Sequence, residues 1–315
     1  MYLLVVFVIA VILVLLTAYI CFRMGFYSAP RKPRPEGEIG LPDGEIYEPY
    51  WDSMKAWAAE ARAMNPEELC VTSFDGLKLY GKFYEYAPGA PIELMFHGYR
   101  GDGDRDLAGG VQRCRKLGRS ALIVDQRACG RSEGSVITFG INERRDCLTW
   151  LDKMQERFGP DQKIILTGIS MGASTVLMAA GEKLPENVIG ILADCGFHSP
   201  KAIIKKVIHQ MGLPADLLYP FVKLGARIFG HFDLEETSPE EAMKKCRLPV
   251  IFYHGEADDY VPCEMSRICY EACPTRKCLV TVPGAGHGLS YPKDMEGYIQ
   301  AAREFFGPEA SYMEK

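Results

Sequence analysis

Six short apolar runs constrain this chain more than any other feature. They occupy 91–98, 120–128, 163–170, 188–196, 249–255 and 277–286, are rich in Val, Ile and Leu, and mostly end on or beside glycine. Runs of this length without polar alternation read as strands buried on both faces. Helical patterns lie between them, clearest at 141–158, 171–183, 262–273 and 294–306. Strand and helix in alternation predict an α/β fold, a mostly parallel sheet with helices on both faces. In such sheets chemistry gathers at the carboxyl ends of the strands. Ahead of the alternation, an amphipathic helix is expected at 51–64, and two alternating strands at 71–86 turn at Asp75-Gly76, an antiparallel hairpin signal.

The segment 2–22, YLLVVFVIAVILVLLTAYICF, is of another kind and carries no charge. About twenty such residues, at about 1.5 Å each, cross the hydrocarbon core of a bilayer. No basic stretch precedes it and it is longer than a signal-peptide core, which favours a retained single-pass membrane anchor over a cleaved signal. Arg23, Arg31, Lys32 and Arg34 follow it, so the positive-inside rule favours a cytoplasmic C-terminal domain. Eleven scattered cysteines, an odd number, agree with reduced thiols. The division expected is an anchor at 1–23, a Pro-rich linker at 24–50 and one α/β domain at 51–315. A net charge of −5 over 315 residues excludes nucleic-acid binding by bulk electrostatics. The connection between 196 and 249 is too long for a simple crossover. It reads as a helical cap insertion at about 198–247, set over the site. Its Ile203, Ile204, Leu213, Leu217, Leu218 and Phe221 are candidates to line an apolar channel, although at helical spacing most are expected to be packing residues.

Within LTGISMGAS, Ser170 sits between Gly168 and Gly172 where a strand candidate meets a helix candidate. A Gly-x-Ser-x-Gly turn in that setting strains the serine backbone and lifts its hydroxyl above the sheet edge. Side chains at the two glycine positions would collide with the neighbouring strand and helix. A serine hydroxyl is a poor nucleophile until a base takes its proton, and histidine titrates near the working pH. His287, in the glycine-rich PGAGHGLS, follows the last strand, and Asp258, in HGEADDYVP, follows the one before. An aspartate there orients the imidazole and stabilises its charged form, with Asp259 the alternative acid. Two backbone N–H groups are needed for the oxyanion: Met171 after the nucleophile, and Tyr99 in the loop FHGYRGDG. His97 and His254 are expected to shape turns, His198 to sit near the substrate or to be structural, and Cys195 to form part of the pocket wall. Cys263, Cys269, Cys273 and Cys278 form no Cys-x-x-Cys pair, so neither a metal nor a cofactor is expected.

HGYRG, DQRACGRSEG, GISMG, HGEADDYVP and GAGHG, in that order, resemble the α/β-hydrolase superfamily, especially its bacterial esterase and serine-aminopeptidase-like branch. The resemblance covers roughly residues 71–306. It implies Ser170 as nucleophile, Asp258 as acid, His287 as base, and Tyr99 and Met171 as oxyanion donors. Cys129 stands where such proteins often carry a histidine in the loop after Asp125; that loop is structural, so no catalytic role follows.

The expected activity is hydrolysis of carboxylic esters, with lipid-like acyl esters favoured by the anchor and the cap. Small amides, aminoacyl peptides and thioesters are the alternatives, and a binding or scaffold role is the non-enzymatic one. The expected partners are a small-molecule acyl substrate and the membrane, with no obligate protein partner evident. A chain cut before about residue 29 is expected to keep activity on soluble esters.

Overall fold

The computed structural model describes residues 1–29 and 38–307. Most of the Pro-rich part of the linker, with Arg31, Lys32 and Arg34, lies outside the described residues. The chain opens with helix α1 (Tyr2–Gly25), and α2 (Trp51–Ala63) precedes the sheet. The hairpin is β1 (Glu67–Thr72) and β2 (Lys78–Tyr84), followed by β3 (Ile92–Phe96). Helices α3 (Gly103–Asp106) and α4 (Ala108–Lys116) lead to β4 (Ser120–Val124), and α5 (Glu143–Phe158) to β5 (Ile164–Ile169). Then come α6 (Met171–Ala179) and β6 (Val188–Asp194), and the insertion α7 (Pro200–Gln210), α8 (Ala215–Phe229) and α9 (Pro239–Met243). The chain closes with β7 (Val250–Gly255), α10 (Glu264–Ala272), β8 (Lys277–Val282), α11 (Ser290–Lys293) and α12 (Met295–Phe306).

The eight strands form one sheet in the order β1-β2-β4-β3-β5-β6-β7-β8. β1 and β2 pair antiparallel, β2 meets β4 antiparallel, and every pairing from β4 to β8 is parallel. Every residue of β3, β4 and β7 is buried, which is why these strands read as unbroken apolar runs. Leu94, Leu122, Leu166 and Phe252 face one layer of helices, with Trp150 and Val176 among the partners. Ile165, Leu192, Ile251 and Tyr253 face the other, against Trp57 and Tyr298. Glu93, fully buried in β3, is the one carboxylate inside that strand. Arg113 and Arg119 grip it at 2.5 and 2.7 Å, and against the cost of burial the two guanidinium groups hold its carboxyl down at about 2.

The loop after β4 is structural, as expected. Asp125 accepts the N–H groups of Gly103 and Arg131, and Arg127 bridges Asp146 and Asp75. Helix α4, which carries two adjacent glycines and no continuous apolar stripe, was not among the helices expected from pattern.

The end of α1 lies against the domain. Ala18, Phe22 and Phe26 are buried, and Phe22 and Phe26 share a cluster with Ile203, Ile204, Tyr219 and Val222. The Ile137 N–H bonds to the Phe26 carbonyl at 2.8 Å, and Ser28 to Ser135 at the same distance. The helix is long and apolar enough to cross a membrane.

Candidate active site

β5 runs straight into α6 through Ser170, whose backbone stands at φ 56 and ψ −121. A non-glycine residue at positive φ is strained, and here the surrounding packing imposes it. A Cβ on Gly168 would lie 2.2 Å from the Gly172 carbonyl carbon, and one on Gly172 would lie 2.0 Å from the Phe96 carbonyl oxygen. Strand and helix therefore touch backbone to backbone, and only glycine fits either position. The Ser170 N–H donates to the Asp194 carbonyl at 2.8 Å, which ties the turn to the next strand.

The loop after β8 brings His287 over this turn. Its Nε2 lies 2.9 Å from Ser170 Oγ and its Nδ1 lies 2.7 Å from Asp258 Oδ2. The other oxygen of Asp258 accepts the N–H groups of Tyr260 at 2.9 Å and Val261 at 2.7 Å. Burial pushes the Asp258 carboxyl up, but hydrogen bonds from His254 and His287, the imidazole charge and the Val261 N–H outweigh it and hold it at about 2. The alternative acid, Asp259, is exposed and lies on the cavity lining, and its main-chain carbonyl takes Gln210 at 3.1 Å and Lys206.

His254 does more than the turn-shaping expected of it. Fully buried, it bonds the Val261 carbonyl at 2.8 Å and Ser266 Oγ at 2.7 Å, with Nε2 also 3.3 Å from Asp258 Oδ2. It thereby holds the loop that presents Asp258. Cys195 is closer to the centre than a wall residue. It is buried at φ 48, with its sulfur, an Asp258 oxygen and a His287 nitrogen within 4.8 Å of one another. Burial, aided by the nearby carboxylates of Asp194 and Asp258, pushes its thiol well up, which keeps it protonated and unreactive. His198 is half-buried, accepts the Glu240 N–H through its carbonyl, and is not on the cavity wall.

Met171 begins α6, so its N–H is one of the donors a helix start leaves without an intrahelical partner. The loop after β3 approaches from the other side: a Cβ on Gly98 would lie 3.5 Å from Ser170 Cβ. Asp106 Oδ2 accepts the Gly98 N–H at 3.1 Å and fixes that approach. Tyr99, next in sequence, donates its hydroxyl to the Gly25 carbonyl at 2.8 Å, and Arg100, at φ 53, donates to the Met24 carbonyl at 2.9 Å. The loop is thus clamped to the end of α1.

Ser170 and His287 open into a cavity of about 610 Å³. Its outer wall is the segment 42–47 with Met54 and Trp57 of α2; Gly109 and Gly110 of α4 and Tyr291 complete it. None of Ile203, Ile204, Leu213, Leu217, Leu218 and Phe221 lines it. Ile203 and Ile204 pack toward Phe197 and Met265, and Leu218 lies against the cluster that holds Phe22. The insertion therefore does not roof the cavity, and the channel candidates resolve as packing and surface residues. The segment that does form the wall gave one signal in sequence: Ile46, Tyr47 and Tyr50 place bulky apolar groups in a stretch whose prolines and glycines otherwise mark a polar linker.

A family model for the alpha/beta hydrolase fold matches residues 94–230. The uncharacterized protein YqkD of Bacillus subtilis is 28% identical over 190 residues, 60% of this chain, and the match spans 62% of YqkD's length. Among solved structures, the esterase Pf2001 of Pyrococcus furiosus superposes with a TM-score of 0.64 at 20% identity, covering 89% of this chain and 97% of that one. A membrane phospholipase A, described as a bacterial virulence factor, superposes with a TM-score of 0.56 at 16% identity, covering 81% and 92%. The sheet order, the turn at Ser170 and these matches agree: the chain has the α/β-hydrolase fold.

Proposed function

We propose that this protein hydrolyses carboxylic esters through an acyl-enzyme on Ser170. One observation carries the reading: His287 lies between Ser170 and Asp258 at 2.9 and 2.7 Å, at the edge of a largely apolar cavity. As Ser170 Oγ attacks the ester carbonyl carbon, His287 Nε2 takes its proton. Asp258, anionic and held by two backbone N–H groups, stabilises the imidazolium. The negative charge that forms on the carbonyl oxygen is met by the N–H groups of Met171 and Tyr99. Collapse of the adduct breaks the bond to the alkoxy oxygen, which leaves as alcohol with the proton from His287. Water then attacks the acyl-serine with His287 again as base, releasing the acid and restoring Ser170.

The walls formed by Met54, Trp57 and Ile46 suit an acyl chain, and α1, read as a membrane span, favours esters of lipid-like character. The neighbouring esterase and membrane phospholipase, each named for ester cleavage, support the same class. The test is hydrolysis of p-nitrophenyl esters from acetate to palmitate by the full chain in detergent, with Ser170→Ala beside it. Activity that vanishes in the variant supports the reading. A folded wild type inactive on every ester, or an equally active variant, overturns it.

A further inference from the structure

Helix α8 presents three distinct faces. At about 100° per residue, Leu218, Gly225 and Phe229 fall on one side, and this is the side that meets α1. A Cβ on Gly225 would lie 2.3 Å from the Ala18 carbonyl oxygen, and the Phe229 ring sits 5.2 Å from Tyr19 and 5.9 Å from Phe22. Asp216, Lys223 and Arg227 fall on a second side, where Asp216 pairs with Lys205 and Lys223 with Glu235. Between the two runs a third stripe: Leu217, Phe221, Leu224 and Ile228. Leu217 is 65% and Ile228 39% exposed, Phe221 and Leu224 are half-buried, and no charge interrupts them.

This stripe continues directly into the exposed apolar surface of α1, whose side chains stay exposed from residue 2 to residue 16. The register fixes its depth. The uncharged run of α1 ends at Arg23, whose guanidinium covers the Tyr27 ring at 3.8 Å, a basic and aromatic pair of the kind that marks a membrane interface. Ala18 lies about five residues, or 7 Å, to the hydrocarbon side of that mark. It is fully buried, and α8 is what covers it. Gly225 and Phe229 both meet the stretch 18–22 of α1, the Gly225 backbone against Ala18 and Phe22 and the Phe229 ring against Tyr19 and Phe22, so this part of α8 sits at the depth of Ala18. A water-facing helix at that depth would leave both its own stripe and the flank of α1 wet.

We infer that α8 is a membrane-embedded platform: its Leu217–Phe221–Leu224–Ile228 stripe lies in the acyl region of the bilayer leaflet that α1 leaves, beside α1. An amphipathic helix in such a position sinks about 5–10 Å into the headgroup and acyl boundary. The occupant of the exposed stripe is thus lipid, and the inference rests on the reading of α1 as a membrane span. The site then does not hang from a flexible tether. Tyr99 and Arg100 hold the end of α1, so the oxyanion loop is fixed at a set height above the lipid surface.

The test places tryptophan reporters in the full chain, reconstituted into vesicles of phosphatidylcholine and phosphatidylglycerol with brominated acyl chains. The variants are Leu217→Trp and Leu224→Trp on the stripe, Ile9→Trp on α1 and Lys245→Trp on the exposed turn after α9, each read against the unsubstituted protein. The expected result is quenching of the added emission at positions 217, 224 and 9 by at least about twofold by the lipid bromines, with little response to aqueous acrylamide. Position 245 should behave oppositely. Quenching at position 9 with acrylamide-only quenching at 217 and 224 overturns the platform and leaves the span standing. No lipid quenching at position 9 removes the span and the platform together. Stripe reporters shielded from both quenchers, in step with protein density, would mean a second copy covers the stripe, and that too overturns the inference.

Discussion

The turn around Ser170 and the wall opposite it, 42–57, face the same cavity yet are constrained differently. At the turn, each residue type follows from contact at backbone distance: Gly168 and Gly172 have no room for a Cβ, and Ser170 is pinned at φ 56 between them. Along the wall, Ile46, Tyr47 and Met54 touch the cavity through side chains at the ends of flexible stems. Many apolar residues would serve there. In the proposed reaction the turn fixes the chemistry, and the wall is free to set which acyl group is accepted.

The most severe way to test that division is to remove the proposed nucleophile without disturbing its turn. Ser170→Ala is expected to lower kcat for ester hydrolysis by about a thousandfold or more while leaving the melting temperature near wild type. Residual activity within tenfold of wild type would show that the turn does not hold the nucleophile. Asp258→Asn is expected to cost about as much, because the imidazole would lose its anionic partner and its tautomer. Asp259→Asn should change the rate by less than about threefold, since His287 Nδ1 bonds Asp258 and Asp259 is an exposed side chain. If the two aspartate variants were equally impaired, the assignment of the acid would fail.

The turn was legible in sequence for the reason that makes it rigid. Glycines on either side of a serine, after a β-branched run, leave one way to join a strand to a helix, and Asp258 and His287 mark the ends of the last two strands. The sheet was legible likewise, because β3, β4 and β7 are wholly buried and carry unbroken apolar runs. Helix α4 was not, since Gly109 and Gly110 are disfavoured in helices and are kept there by the close approach of Trp57 and Met95. Nor was the wall. Its position depends on residues 42–57 folding back over α4, a tertiary contact that no local pattern announces. His254 was underrated for a related reason: its partners, Val261 and Ser266, come from a loop whose path the sequence does not fix.

pH isolates the part of Asp258 in the proposed relay. Because Asp258 is held at about 2, it stays ionised through the acid range in which imidazole titrates. Asp258 should therefore add no proton of its own to the fall of kcat/KM between neutrality and about pH 4, and a second proton traced to that carboxyl in this range would contradict its depressed value. The same depression bears on stability. A carboxyl whose folded value lies below its unfolded value, near 4, contributes stability above that value and loses it as pH falls toward 2. Asp258→Asn should flatten the acid-unfolding curve between about pH 4 and 2, and not above it.

The wall carries the smaller and more informative effect. Met54 reaches the cavity from α2 and is only half-buried, so a larger side chain there fills space that an acyl chain would use and does not disrupt the core. Met54→Trp is expected to reduce kcat/KM for the longest p-nitrophenyl esters about tenfold, a contribution of a few methylene groups, while acetate and butyrate change little. Leu213→Trp, on the insertion and away from the cavity, should leave the whole chain-length profile unchanged. If Leu213→Trp shortened the preferred chain and Met54→Trp did not, the acyl group would lie under the insertion after all. The wall formed by 42–57 would then cover the alcohol side of the ester, and the two variants compared on esters of one acid with different alcohols would show it.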